Sequence, residues 1–85
     1  MSDLTDRQRD LARHALGLPN SRRMSYRNHF AASPGHPDYA DWKAMVYMGF
    51  ATNRIYKPDD IFWLTLTGAA LALNKGEHLD IEDFQ

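Results

Sequence analysis

Apolar residues recur along this chain at two different periods, and the changes of period mark its elements. Leu4, Leu11, Ala12, Ala15 and Leu16 fall at helical spacing, with Asp6, Arg7, Arg9, Asp10 and Arg13 mostly on the opposite side. Thr5 followed three residues later by Gln8 is a capping-box pair. Gly17 suits a left-handed stop, and Pro19 cannot continue a helix. Together they predict a helix over about 5–16. Tyr39, Trp42, Met45, Val46 and Gly49 repeat the pattern, with Asp38 as N-cap and Gly49 as stop, and predict a helix over about 38–48. The period then drops to two. Residues 50–56 and 61–65 read as a hairpin joined by a Lys57-Pro58-Asp59-Asp60 turn. Phe62 and Leu64 share one face of the second strand; Ile61, Trp63 and Thr65 share the other. Thr65 can cap a last helix over 66–74, with Leu66, Ala69, Ala70 and Leu73 as its stripe and Asn74-Lys75-Gly76 as its end.

Residues 20–37 follow neither period cleanly. Ser33-Pro34-Gly35-His36-Pro37 is turn chemistry. Ser21 can cap a short helix over 21–31 with Met24, Arg27, Phe30 and Ala31 on one side, or the same residues can form an ordered loop; we favour the helix. The pattern is α+β, with residues 1–76 as one small domain and the acidic stretch 77–85 packed on it through Leu79, Ile81 and Phe84. Trp63, on the strand face away from Phe62, is expected to lie under that tail.

Composition narrows the class. A chain of 85 residues with 44% apolar content can build one core and is not a disordered tract. With no cysteine it has neither disulfides nor thiolate metal sites, which fits a reducing cytoplasm. No apolar run reaches the length of a membrane span, and Met1-Ser2-Asp3-Leu4 shows no signal-peptide pattern. The net charge of −1 gives no global attraction to nucleic acid, but the tail holds four acids and no Lys or Arg, leaving ten basic and seven acidic residues before it.

No nucleophile–base arrangement or glycine-rich phosphate loop is present, so an enzyme is not expected. His29 and His36 flank a turn without an accompanying ligand set, so neither metal nor cofactor is indicated. Arg22, Arg23, Tyr26, Arg27 and Asn28 form the densest group of side chains able to meet phosphates or bases. In the alternative reading of these residues, Asn28 fastens backbone and Arg27 pairs with Asp38 or Asp41. Arg54 and Lys57 flank the hairpin tip, and Lys43 lies on the second predicted helix.

The Gly49-Phe50 helix exit, the polar hairpin and Phe62-Trp63-Leu64-Thr65 followed by Gly68 resemble winged-helix DNA-binding regulators. Leu11-to-Leu18, Tyr26-to-Phe30 and Gly35-to-Met48 together resemble small proteins encoded by phages and prophages. The resemblance implies a winged-helix-like shape and a place in the bacterial host cytoplasm, with the hairpin as a phosphate-touching wing. Two features depart from it. The second helix of a helix-turn-helix rests on residues 21–31, and the helix in the recognition position carries Asp38 and Asp41 against one Lys43. The expected function is nucleic-acid binding, as a dimeric transcriptional regulator, through Arg22, Arg23, Tyr26, Arg27, Lys43, Arg54 and Lys57. The alternative is an anti-defence inhibitor or adaptor, such as an anti-CRISPR protein, that uses the same shape to dock on a host protein.

Overall fold

The computed structural model describes residues 3–84. Its first helix, α1 (Asp6–Leu16), begins with the reciprocal cap read from the sequence: the Thr5 hydroxyl accepts from Gln8 N at 3.1 Å, and Gln8 Oε1 accepts from Thr5 N at 3.0 Å. It stops at Gly17, whose φ of 81° is left-handed. Leu4, Ala12, Ala15 and Leu16 are buried.

No helix forms over 21–31. The chain makes a turn at Asn20–Arg23, a parallel bridge between Met24 and His78, and then a short strand, β1 (Phe30–Ala32). The spacing of Met24, Arg27 and Phe30 imitates a helical stripe, but the backbone of this segment is satisfied elsewhere. Asn20 Nδ2 donates to Gly17 O and Met24 O, Tyr26 N to Leu16 O, Ser25 N to His78 O and His29 N to Ala15 O.

The second helix, α2 (Tyr39–Tyr47), buries Trp42 and Met45 and exits through Gly49 at φ 84°. Asp38 does not cap it with its side chain. Its carboxylate instead receives Arg7 at 2.5 Å, and Asp41 receives the same guanidinium at 2.7 Å. The hairpin follows as β2 (Ala51–Tyr56) and β3 (Asp59–Leu64). Its turn is shorter than expected, because Asp59 and Asp60 belong to β3. Asp60 is buried there, its Oδ2 accepting from Tyr39 OH at 3.1 Å and from Asn53 Nδ2 at 2.9 Å. Those two donors satisfy the carboxylate that burial removes from water.

The third helix, α3 (Leu66–Ala72), starts where Thr65 accepts from Gly68 N at 3.1 Å and donates its hydroxyl hydrogen to Gly49 O at 3.0 Å. A Cβ on Gly68 would lie 2.0 Å from Phe50 O, so only glycine lets α3 rest on the strand entrance. That approach selects the inward face: Gly68, Ala69 and Ala72 are buried, whereas Leu66 and Ala70, expected in the stripe, are exposed. The helix is also shorter than expected, with Leu73 already extended.

Among the described residues there are thus three α-helices and one three-stranded antiparallel sheet, in the order β1-β3-β2. The helices cover one face. Phe30, Trp42 and Phe62 stack beneath them, with Trp42–Phe62 centroids 5.5 Å apart and Phe30–Trp42 5.2 Å apart. The last turn, a 3-10 helix (Ile81–Phe84), closes the described chain.

Candidate functional site

The sheet's uncovered face is built by alternation. Pairing of Thr52 with Trp63, Arg54 with Ile61 and Tyr56 with Asp59 puts these six side chains on the side away from Phe62 and Leu64. The C-terminal 3-10 turn brings Asp83 and Phe84 to the rim. The result is an open groove of about 570 Å³ lined by Thr52, Arg54, Tyr56, Trp63, Asp83 and Phe84, among others. Trp63 is half-buried in its wall and Arg54 is exposed. Leu79 and Phe84 pack against the core, but Ile81 stays 63% exposed, so the tail covers Trp63 less completely than its apolar spacing predicts.

The structure sorts the cations by use. All three arginines of α1 are taken up within the chain. Arg7 holds Asp38 and Asp41. Arg9 donates to Asn74 and to Leu73 O, and Arg13 pairs with Glu77. Arg27 does not reach Asp38 or Asp41; it donates to His14 O at 2.8 Å at the end of α1 and lies 5.3 Å over the Tyr26 ring. Tyr26 in turn sits on Gly17, where a Cβ would come within 2.2 Å of the ring. Tyr26 and Arg27 therefore close the C-terminal end of α1.

Arg22, Arg23, Lys43, Arg54 and Lys57 are exposed and form no ion pair among the described residues. They do not form one cluster. Arg22 lines a second, smaller hollow of about 230 Å³ with Ser21, Met24 and Asp80. Arg23, at φ 55°, follows it on the turn. Lys43 stands on α2, Lys57 at the hairpin turn, and Arg54 alone enters the sheet groove. The groove's aromatic members, Trp63 and Tyr56, were identifiable from period-two alternation, but their convergence with Phe84 depends on where the tail runs.

Asn28 is buried and serves the fold. Its Nδ2 donates to Leu64 O at 3.0 Å and its Oδ1 accepts from Leu64 N at 2.9 Å. Residue 28 continues the Phe30↔Phe62 register, so the side-chain amide takes the place of one more backbone rung.

The strongest perturbation of a titrating group lies away from the groove. Arg13 grips both Glu77 oxygens, the second at 2.8 Å, and both side chains are nearly buried. Glu77 also accepts from Asn74 N at 2.6 Å. The arginine's hydrogen bonds dominate over burial and hold the Glu77 carboxyl at about 2, while the same contact raises Arg13. Burial first, then the hydrogen bond to Asp60, raises Tyr39. Among the described residues no three His, Cys, Asp or Glu side chains converge as a metal site would require, and no helix is long and apolar enough to cross a membrane. His29 and His36 are used separately, the first through its backbone N–H to Ala15 O and the second as an acceptor for Asp38 N at 3.0 Å.

Compared with known protein families, curated proteins and solved structures, the chain matches none.

Proposed function

We propose that this protein binds nucleic acid on the outer face of its sheet, and that it takes a single-stranded segment there. The observation that carries the proposal is the groove that Trp63 and Tyr56 line together with Arg54, which forms no ion pair among the described residues. Aromatic rings on a sheet stack unpaired bases, and a neighbouring cation meets the backbone. Lys57 stands outside the groove at the hairpin turn, where a wing would meet the backbone.

A winged-helix-like frame is part of the proposal, because a hairpin follows α2 directly and the helices share one face. Use of α2 as a duplex-reading helix is not. Residues 17–38 separate α1 from α2 and include β1, whereas a helix-turn-helix joins its helices by a short turn. Arg7 occupies Asp38 and Asp41, so the exposed face of α2 offers Lys43 as its single cation. A bacterial cytoplasmic setting and a phage origin follow from the sequence resemblance and belong to the same proposal.

The test is a fluorescence-anisotropy titration of labelled single-stranded and duplex oligonucleotides at rising salt. The single strand should bind more tightly, with affinity falling as salt rises. Trp63→Ala should weaken it by roughly tenfold, within the range of one lost base stack. Absence of binding at low salt would sink the proposal.

A second reading, a protein inhibitor or adaptor, is favoured by one feature. Asp80, Glu82 and Asp83 follow one another on a tail held in place by Asp80 N donating to Ser25 Oγ at 2.8 Å. Carboxylates at fixed positions can occupy a host protein's phosphate-binding surface. It predicts a host nucleic-acid-binding protein captured from extract and released by Asp80→Asn/Glu82→Gln.

A further inference from the structure

Three acids follow one another closely at the end of the described chain, and they are used differently. Asp80 Oδ1 accepts from Glu82 N at 3.1 Å, and Asp80 N donates to Ser25 Oγ at 2.8 Å, so Asp80 organises the turn and ties it to the body. Glu82 is exposed. Asp83 lines the outer groove with Arg54, Tyr56 and Trp63. Its Oδ2 is buried and has no hydrogen-bond partner among the described residues, and the carboxylate forms no ion pair there.

A carboxylate in this state carries two penalties. An oxygen shut off from water without a donor loses its solvation. A negative charge on a face that takes nucleic acid also repels the phosphates. Neither helps a surface that binds every strand alike. Both are offset by a ligand that brings N–H donors to the carboxylate. Asp83 is held for such a contact. Its backbone is fixed by Asp83 N donating to Asp80 O at 3.1 Å, while its side chain can turn into the groove without breaking a hydrogen bond to Oδ2.

The bases differ in what they offer a carboxylate. The Watson–Crick edge of guanine carries two adjacent donors, N1–H and N2–H, which match the two oxygens of one carboxylate. Adenine and cytosine present one amino group beside a ring-nitrogen acceptor. Thymine and uracil present one N–H between two carbonyls. A base stacked on an aromatic ring in a single strand has this edge free. We propose that Asp83 makes the outer groove selective for guanine, its carboxylate accepting from N1–H and N2–H of a base stacked on Trp63. The inference rests on the groove being a single-strand site and adds the base that the site prefers. The repulsion then serves discrimination, because a strand that supplies no donor meets an uncompensated charge.

Anisotropy titrations of the full chain test it, with a short all-thymine strand and the same strand carrying one guanine, adenine or cytosine at its centre. The guanine strand should bind the wild type about tenfold more tightly than the all-thymine strand, the scale of one bidentate base contact. Adenine and cytosine should fall between them. Asp83→Asn should remove most of the preference, weakening the guanine strand and strengthening the all-thymine one. Glu82→Gln removes the same charge from the exposed neighbour outside the groove lining and should leave the preference intact. Equal affinity of the wild type for all four strands, or tighter binding of the adenine or cytosine strand, overturns the guanine assignment while single-strand binding stands. So does a preference that survives Asp83→Asn, or one that Glu82→Gln also removes. Binding of none of the strands at low salt instead defeats the single-strand reading itself, and the assignment with it.

Discussion

The two flanks of the central strand are finished in different ways. On one side β1 supplies only three residues, and the chain completes the ladder with the Asn28 amide at Leu64. Behind that flank, α1, the 20–28 segment and residues 73–80 are tied by Arg13–Glu77, Arg9–Asn74, Arg27–His14 and Ser25–Asp80. On the other side β2 pairs along six residues with β3, yet among the described residues no further strand pairs with its outer side, and Ile55 on it and Tyr47 near its start are exposed. Polar groups are thus used up where the chain closes on itself and left over where it does not. Buried polar groups carry a large penalty when unpaired, so the closed flank should be sensitive to single changes and the open one tolerant.

The largest effect is expected at Arg13. Arg13→Ala leaves Glu77 buried without its partner and should lower unfolding free energy by about 3–5 kcal/mol, read from urea denaturation. Arg13→Met with Glu77→Leu should recover much of that loss, because removing both charges also removes their desolvation cost. A double variant no better than the single would mean that the pair's contacts with Ala72 O and Asn74 N matter more than its charge.

The same pair fixes an acid response. Glu77 titrates at about 2 in the folded chain, below its ordinary 4.5, so its stabilisation is complete above pH 4.5 and is lost as pH falls toward 2. The loss should amount to roughly 3 kcal/mol at the acid end, and Glu77→Gln should flatten that part of the stability–pH curve. Tyr39 acts in the opposite direction. Its raised value means that its contribution holds below pH 10 and is lost at more alkaline pH, through the contact with Asp60 beneath the hairpin.

Which features were legible in the sequence follows from the range of the interactions behind them. The Thr5–Gln8 box, the Gly17 and Gly49 stops, the Trp42–Met45 stripe and the Phe62/Leu64 alternation are local, and the structure contains each of them. β1 was hidden because a three-residue strand is defined only by pairing with Phe62, far along the chain, while Met24, Arg27 and Phe30 imitate a helix. Asp59 and Asp60 read as turn residues because the donors that allow Asp60 to be buried, Tyr39 and Asn53, lie on other elements. At the site, residue type alone marked Arg22, Arg23, Lys43, Arg54 and Lys57 as surface cations. Only the three-dimensional path of α1 and the tail shows that Arg27 ends at His14 and that Phe84 meets the Trp63 face of the sheet.

Asn28 tests the closed flank with a smaller change. Asn28→Ala strands the N–H and C=O of Leu64 without adding charge, and should cost about 2 kcal/mol. Asn28→Asp keeps the acceptor but sets a carboxylate oxygen against Leu64 O, so it should cost more than alanine. If aspartate were the milder of the two, the amide would not be acting as a rung.

The open flank gives the smallest expected effect and the sharpest contrast. Ile55→Lys and Arg54→Ala alter side chains that neither fill the core nor satisfy a buried group, so unfolding free energy measured on dilute monomer should change by no more than about 0.5 kcal/mol. The effect of Arg54→Ala should appear instead in oligonucleotide affinity. A loss of monomer stability comparable to that of Asn28→Ala would mean that the β2 edge contributes to the single-chain fold, and the distinction between a closed and an open flank would fail.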